Sequence, residues 1–174
     1  IWDNIAALQH FYEGHLDEPA CWAPEVALIV DEDSPSYAAN SSLLSSPLVY
    51  EMRSQYFRMG TPFGIYLLSD LVGGKVPPMK TYFFANCYRL DTRQRESVLR
   101  ATRGKTAVWF YGGGFLSNTA DDAHMSEVIG LQLKRAASES GTVVPEKSSA
   151  GLAVGLSDPF GRDTVLDPLW VVTE

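Results

Sequence analysis

The sequence predicts an α/β fold: a flavodoxin-like three-layer α/β/α sandwich around a mainly parallel sheet. Three observations carry this. Short runs such as "VALIVD" at 26–31 are apolar and β-branched from end to end, as strands covered on both faces are. These runs alternate with segments of helical period, which places helices on both sides of a sheet. The strand-like runs also break into acids or glycines, the turn chemistry of a strand leading into a helix.

The first element is a helix, "WDNIAALQHFYEGHL", with Asp3 as N-cap and Ile5, Leu8, Tyr12 and Leu16 at helical spacing. "DEPACWAPE" connects it to the first strand, and "EDSPSYAANSSLLSS" is a polar loop. A helix is expected next, with Ser46 as N-cap, Pro47 at its first position, an apolar stripe of Leu48, Met52, Tyr56 and Met59, and Gly60 to close it. "FGIYLLSDL" at 63–71 holds the second strand and "KTYFFANCYRL" the third. Asp91 with Gln94 forms a capping box for a helix in which Val98 and Leu99 face inward and which Gly104 ends. "KTAVWFY" is the fourth strand. Asp121 or Asp122 opens the helix "DDAHMSEVIGLQL". Beyond about residue 135 the pattern gives way to turns and short strands, and "LWVVT" is the last strand.

The chain of 174 residues, 45% hydrophobic, suits one domain: a helical linker at 1–20, an α/β core at 25–135, and an irregular region with a last strand at 136–174. A start at Ile1 and a stop after "WVVTE" are expected of a segment of a longer protein. The net charge of −7 argues against nucleic acid and against an anionic membrane as partners. No run has the length of a membrane span, and no signal segment is visible. Two cysteines, Cys21 and Cys87, cannot make a disulfide framework.

The candidate chemistry clusters where strands end. "YGGGF" resembles a site that cradles phosphate or mounts a nucleophile, but consecutive glycines followed by "FLSN" match neither the G-x-G-x-x-G nor the Lys-Ser/Thr phosphate pattern. Gly112 and Gly113 therefore read first as a tight turn. A nucleophile elbow wants Ser or Cys there, and the residue present is Tyr111, whose ordinary pKa of about 10 makes it a poor nucleophile. No Ser–His–acid or Cys–His–acid arrangement stands out nearby. Cys87, with Arg89 and a helix start close by, reads as a buried thiol before it reads as a reactive one. Asp31 and Asp33 after the first strand, and Ser69 and Asp70 after the second, fall at the edge where such sheets bind ligands; metal or sugar-hydroxyl binding and plain capping both fit them. Tyr88 and Tyr111, with Trp109, offer ring faces for a sugar, and Tyr66 a hydroxyl. His10, His15 and His124 do not form a ligand set, so no metal site and no cofactor are expected. Asn40-Ser41-Ser42 matches a glycosylation sequon.

Several of these stretches together resemble a known family. "VALIVDEDS", "YLLSDL", "KTYFFANCYRLDTRQRESVLRATRGKTAVWFYGGGF" and "DPLWVVTE" look like the middle, trimerisation-type domain of family-42-type β-galactosidases. "IWDNIAALQHFYE" is similar to the linker helix that follows the catalytic barrel in those enzymes. The resemblance implies a fold like class I glutamine amidotransferases without their catalytic residues, Tyr111 standing in the place of the amidotransferase cysteine. It implies a non-catalytic accessory domain that works by association, as a trimer, beside its own catalytic barrel. The family's paired glutamates lie on that barrel, so no acid of this chain inherits their role. The "DEDSPSYAANSS" loop departs from the family pattern. Two other functions compete: a carbohydrate or small-molecule binding module at the carboxyl edge of the sheet, and an amidotransferase-like thiol enzyme using Cys87.

Overall fold

The computed structural model describes residues 1–18, 23–39, 44, 46–137, 139–144, 159–166 and 168–173. Its centre is a sheet of four strands, β1 (Val26–Val30), β2 (Phe63–Leu67), β3 (Thr81–Phe84) and β4 (Thr106–Trp109). They lie in the order β2-β1-β3-β4, all parallel, with Ala27 opposite Gly64 and Tyr82, and Tyr82 opposite Ala107. This is the flavodoxin-like order, in which the chain changes winding direction between β1 and β3.

Alternation along each strand divides the side chains between two cores. Ala27 and Ile29 of β1, Tyr82 and Phe84 of β3 and Trp109 of β4 face one side. There they meet Leu68 and Leu71 of α3 (Leu68–Val72), Val98 of α4 (Thr92–Thr102) and Val128 of α5 (Asp122–Ile129). Leu28, Phe63 and Phe83 face the other side and meet Tyr56 of α2 (Arg53–Phe57), with Met52 and Met59 beside it. Helices thus cover both faces, the three-layer arrangement expected of continuous apolar strands. The cover is uneven: three helices pack the first face, and a helix of five residues packs the second.

Helix ends follow their local chemistry. The Asp91 carboxylate accepts from Gln94 N–H (2.8 Å) and the Gln94 side chain accepts from Asp91 N–H (2.8 Å), the reciprocal box expected for α4. Asp121, not Asp122, caps α5, accepting from Ala123 N–H at 2.8 Å. α5 ends earlier than its apolar pattern suggests. Gly130 takes the left-handed conformation (φ 78°) after Ile129, and Leu133 already belongs to a strand.

One further expectation is corrected. The segment after Ser46 does not begin an α-helix: Ser46–Glu51 is a π-helical turn, closed by Met52 N–H to Pro47 C=O (3.1 Å), and α2 starts only at Arg53. Pro47 brings no N–H, and the wider turn adds a residue before Met52 and Tyr56 reach the sheet. The last strand, β8 (Leu169–Val172), does not join the parallel sheet; it pairs antiparallel with β5 (Leu133–Ala136), Leu133 opposite Val172. The irregular region contains an antiparallel pair, β6 (Glu139–Val143) with β7 (Phe160–Leu166). Finally, α1 (Trp2–Glu13) forms as expected but buries none of its residues. Cys21 and the Asn40 sequon lie outside the described residues.

Candidate functional site

In this fold class ligands enter beyond the carboxyl ends of the strands, at the point where the winding reverses. Here that point is filled by the chain itself. Asp31 follows β1 and Asn86 follows β3. The Asn86 amide donates to Asp31 C=O and accepts from Asp31 N–H, both at 2.8 Å, a reciprocal pair that ties the two strand ends together. The Asp31 carboxylate turns the other way and accepts from Asp33 N–H (3.2 Å) and Ser34 N–H (2.9 Å), closing the short 3-10 turn Ser34–Tyr37. Ser34 Oγ accepts from Arg89 N–H at 3.0 Å. Asp31, Ser34 and Asn86 are all buried. Burial raises the Asp31 carboxyl above its ordinary range, against the lowering effect of its hydrogen bonds. Of the two readings open for Asp31, the structure realises capping. Asp33 is exposed and offers its backbone to that cap.

Ser69 and Asp70 lie on α3, away from this network. Ser69 is exposed, and Asp70 faces Lys75 at 3.7 Å. Cys87 is buried in the larger core, and its carbonyl accepts from Gly114 N–H at 2.9 Å. Burial pushes its thiol well above the usual range, and the charges of Asp31 and Glu32 push the same way. A thiol so placed stays protonated, which is the opposite of what a nucleophile requires.

The glycine run makes the bend that its sequence suggests. Gly112 and Gly114 take positive φ (48° and 71°). Gly113 is needed for space: a Cβ there would fall under 3.0 Å from the Trp109 indole, which is itself stacked on Phe84 with centroids 4.0 Å apart. Trp109 therefore faces the core and is not free to stack on a ligand, and Tyr66 too packs against that core. Past the bend the chain runs beside the segment after β3, with Leu116 N–H to Tyr88 C=O (2.8 Å) and Leu90 N–H to Leu116 C=O (2.9 Å).

Three of the expected site residues do meet. Tyr88, Tyr111 and Gly112 line one pocket of about 110 Å³, together with Tyr37, Phe115 and Trp170. Tyr111 Oη donates to Pro168 C=O at 2.6 Å, and its ring meets Trp170 edge-on at 5.2 Å. Trp170 also meets Phe115 at 4.8 Å and donates from its indole N–H to Asp122 at 2.9 Å. The Arg89 guanidinium lies 4.8 Å from the Tyr37 ring centroid. Trp170 and Phe115 were not singled out from the sequence because nothing local in "LWVVT" says which strand it pairs with. Its true position beside β5 carries Trp170 across the bend.

A serine, a histidine and an acid, not picked out from the sequence, also lie near one another just beyond the bend. Ser117 Oγ lies 3.3 Å from His124 Nδ1, and His124 Nε2 lies 3.9 Å from Asp121 Oδ2. The signal was Asp-x-x-His across one helical turn after a loop serine. The second distance is too long for a hydrogen bond. Asp121 already holds the α5 cap through its other oxygen, and Ser117 is not among the residues lining the pocket. The group lacks the oriented imidazole that an acyl-transfer triad requires. Among the described residues no set of three or more His, Cys, Asp or Glu is placed to hold a metal, and no helix is long and apolar enough to cross a membrane.

No family model matches the chain, and no curated protein matches it in sequence. Among solved structures it is similar to a β-galactosidase from Bifidobacterium adolescentis, at 16% identity and a TM-score of 0.44. The match covers 73% of this chain and 65% of that one, so the chain spans just under two thirds of that protein's length.

Proposed function

We propose that the chain is a non-catalytic accessory and association module of a glycoside hydrolase whose catalytic barrel lies outside it. One observation carries the non-catalytic part: at the bend where the amidotransferases it resembles mount a nucleophile, the groups present are committed elsewhere. Tyr111 Oη is bound to Pro168, Gly113 abuts Trp109, and Cys87 is buried beneath. The glycoside-hydrolase part is supported by the family resemblance of the strand and bend stretches. Association is supported by apolar surface left uncovered on α1 and on one sheet face.

Incubating the chain with aryl glycosides, activated acyl esters and a fluorophosphonate probe tests the first part. No turnover and no labelling are expected. Labelling of Ser117, or turnover lost on Ser117→Ala or Cys87→Ala, would make the domain an enzyme. Sedimentation tests the second part, and a chain that stays monomeric at every concentration would remove the association role.

The aromatic pocket favours a second reading, a site for a flat apolar ring face such as that of a pyranose, gripped between Trp170, Tyr37 and Tyr88. Titration calorimetry with mono- and disaccharides, repeated on Trp170→Ala, decides it. Heat that disappears in the variant supports a sugar site, and silence across the panel eliminates it.

A further inference from the structure

Two surfaces of this chain are each incomplete and complement each other. The first is α1. Ile5 (50% exposed), Leu8 (55%) and Tyr12 (61%) form its apolar stripe, and the helix has no buried residue. A helix of 12 residues with nothing packed on it is marginal in water, because helices of this length draw their stability from a covered face. The second is the thinly covered face of the sheet. Between α2 and the edge strand β2 runs a groove of about 110 Å³, lined by Leu28, Val30, Tyr56, Phe57, Phe63 and Ile65 with Arg53. Ile65 and Leu67 of β2 and Phe57 of α2 stay largely exposed there, where a second helix would complete the layer.

Charge matches the two. The first 52 residues contain no Lys or Arg, and Asp3, Glu13, Asp17 and Glu18 lie in or just after α1. Arg53 lines the groove and Arg58 follows α2; neither has an ion-pair partner among the described residues. Opposite charges around an apolar contact fix its orientation more than they strengthen it.

We infer that α1 of one copy docks its apolar stripe into the groove between α2 and β2 of a second copy of this chain. The inference rests on the association reading and names its surfaces. A second copy is the occupant because the chain's own α1 leaves its stripe in solvent while its own groove stays open. Donor and acceptor are different surfaces, so the contact is either exchanged reciprocally in a dimer or passed head to tail around a closed ring.

Sedimentation of the 174-residue chain over a range of concentrations tests it, with Leu8→Glu on the helix and Ile65→Glu in the groove. Both side chains are largely exposed, so circular dichroism should show the fold retained. Each variant should weaken association at least about tenfold, equal to ~1.4 kcal/mol. Arg53→Glu should weaken it too, and reversing Glu13, Asp17 and Glu18 to Lys in the same chain should restore it. Association left unchanged by both apolar variants would overturn this inference and leave the association module standing on another surface. A wild-type chain that is monomeric throughout would overturn both.

Discussion

Gly113 shows most directly what the bend is for. Its backbone needs no unusual φ; what it needs is the absence of a Cβ against the Trp109 indole. Gly113→Ala must push the indole off Phe84 or lift the loop, and overpacking of this kind costs about 1–3 kcal/mol. Gly104→Ala, where φ is 68° but nothing lies within 4 Å, meets only backbone strain and should cost less. Urea denaturation of the two variants checks the order. Cys87 and Tyr56 make a second prediction at this scale. Burial raises both acids, Tyr56 to about 12. Folded pKa values above the unfolded ones mean that the native state holds protons which the unfolded chain releases. The stability they contribute is therefore complete below their ordinary values and is lost as pH rises past them. Stability should fall above about pH 9, and Tyr56→Phe should flatten the part of the fall above about pH 10. Native Cys87 should resist a thiol reagent at neutral pH and react once the chain is unfolded.

Among the elements, α4 and α1 make opposite predictions. The capping box of α4 satisfies two end groups, so Asp91→Ala should cost about 1 kcal/mol in thermal or urea unfolding. α1 shares no core with the sheet, so its amides should exchange quickly in dilute protein and slow when copies associate. Both helices were legible in the sequence, one from its cap and one from its stripe, because caps and periodicity are local. The strands of the sheet were legible for the same reason. Whether a stripe finds a partner is not local, and nothing in "IWDNIAALQHFYE" says that it stays uncovered. The same limit hid the pairing of β8 with β5. "LWVVT" announces a strand, but its partner lies some forty residues upstream and competes with an open edge of the main sheet. The site was half legible. Tyr88, Tyr111 and Gly112 sit on neighbouring strand ends and were found together, whereas the Asp31–Asn86 pair joins residues 55 apart in sequence.

For the molecule as a whole, two cores of unequal size meet at one sheet. The larger joins strands to α3, α4 and α5, and the smaller leans on α2 alone. Removing residues 1–17 should therefore leave the unfolding midpoint of the dilute chain unchanged, the shift in stability staying within about 0.5 kcal/mol. In concentrated protein the same deletion should lower the midpoint, since an assembly held through α1 gains stability by mass action.

The knot of Asp31, Ser34 and Asn86 at the top of the sheet has a consequence for how this sequence tolerates change. In this fold class ligands commonly bind beyond the upper rim, on loops that tolerate change while the scaffold stays sound. Here the rim is stitched from buried polar atoms. A library randomised at those three positions and sorted for soluble expression should lose nearly every member, while neighbouring Glu32 and Asp33 accept almost anything. New binding chemistry is then easier to build on the flanks of this sheet than at its top.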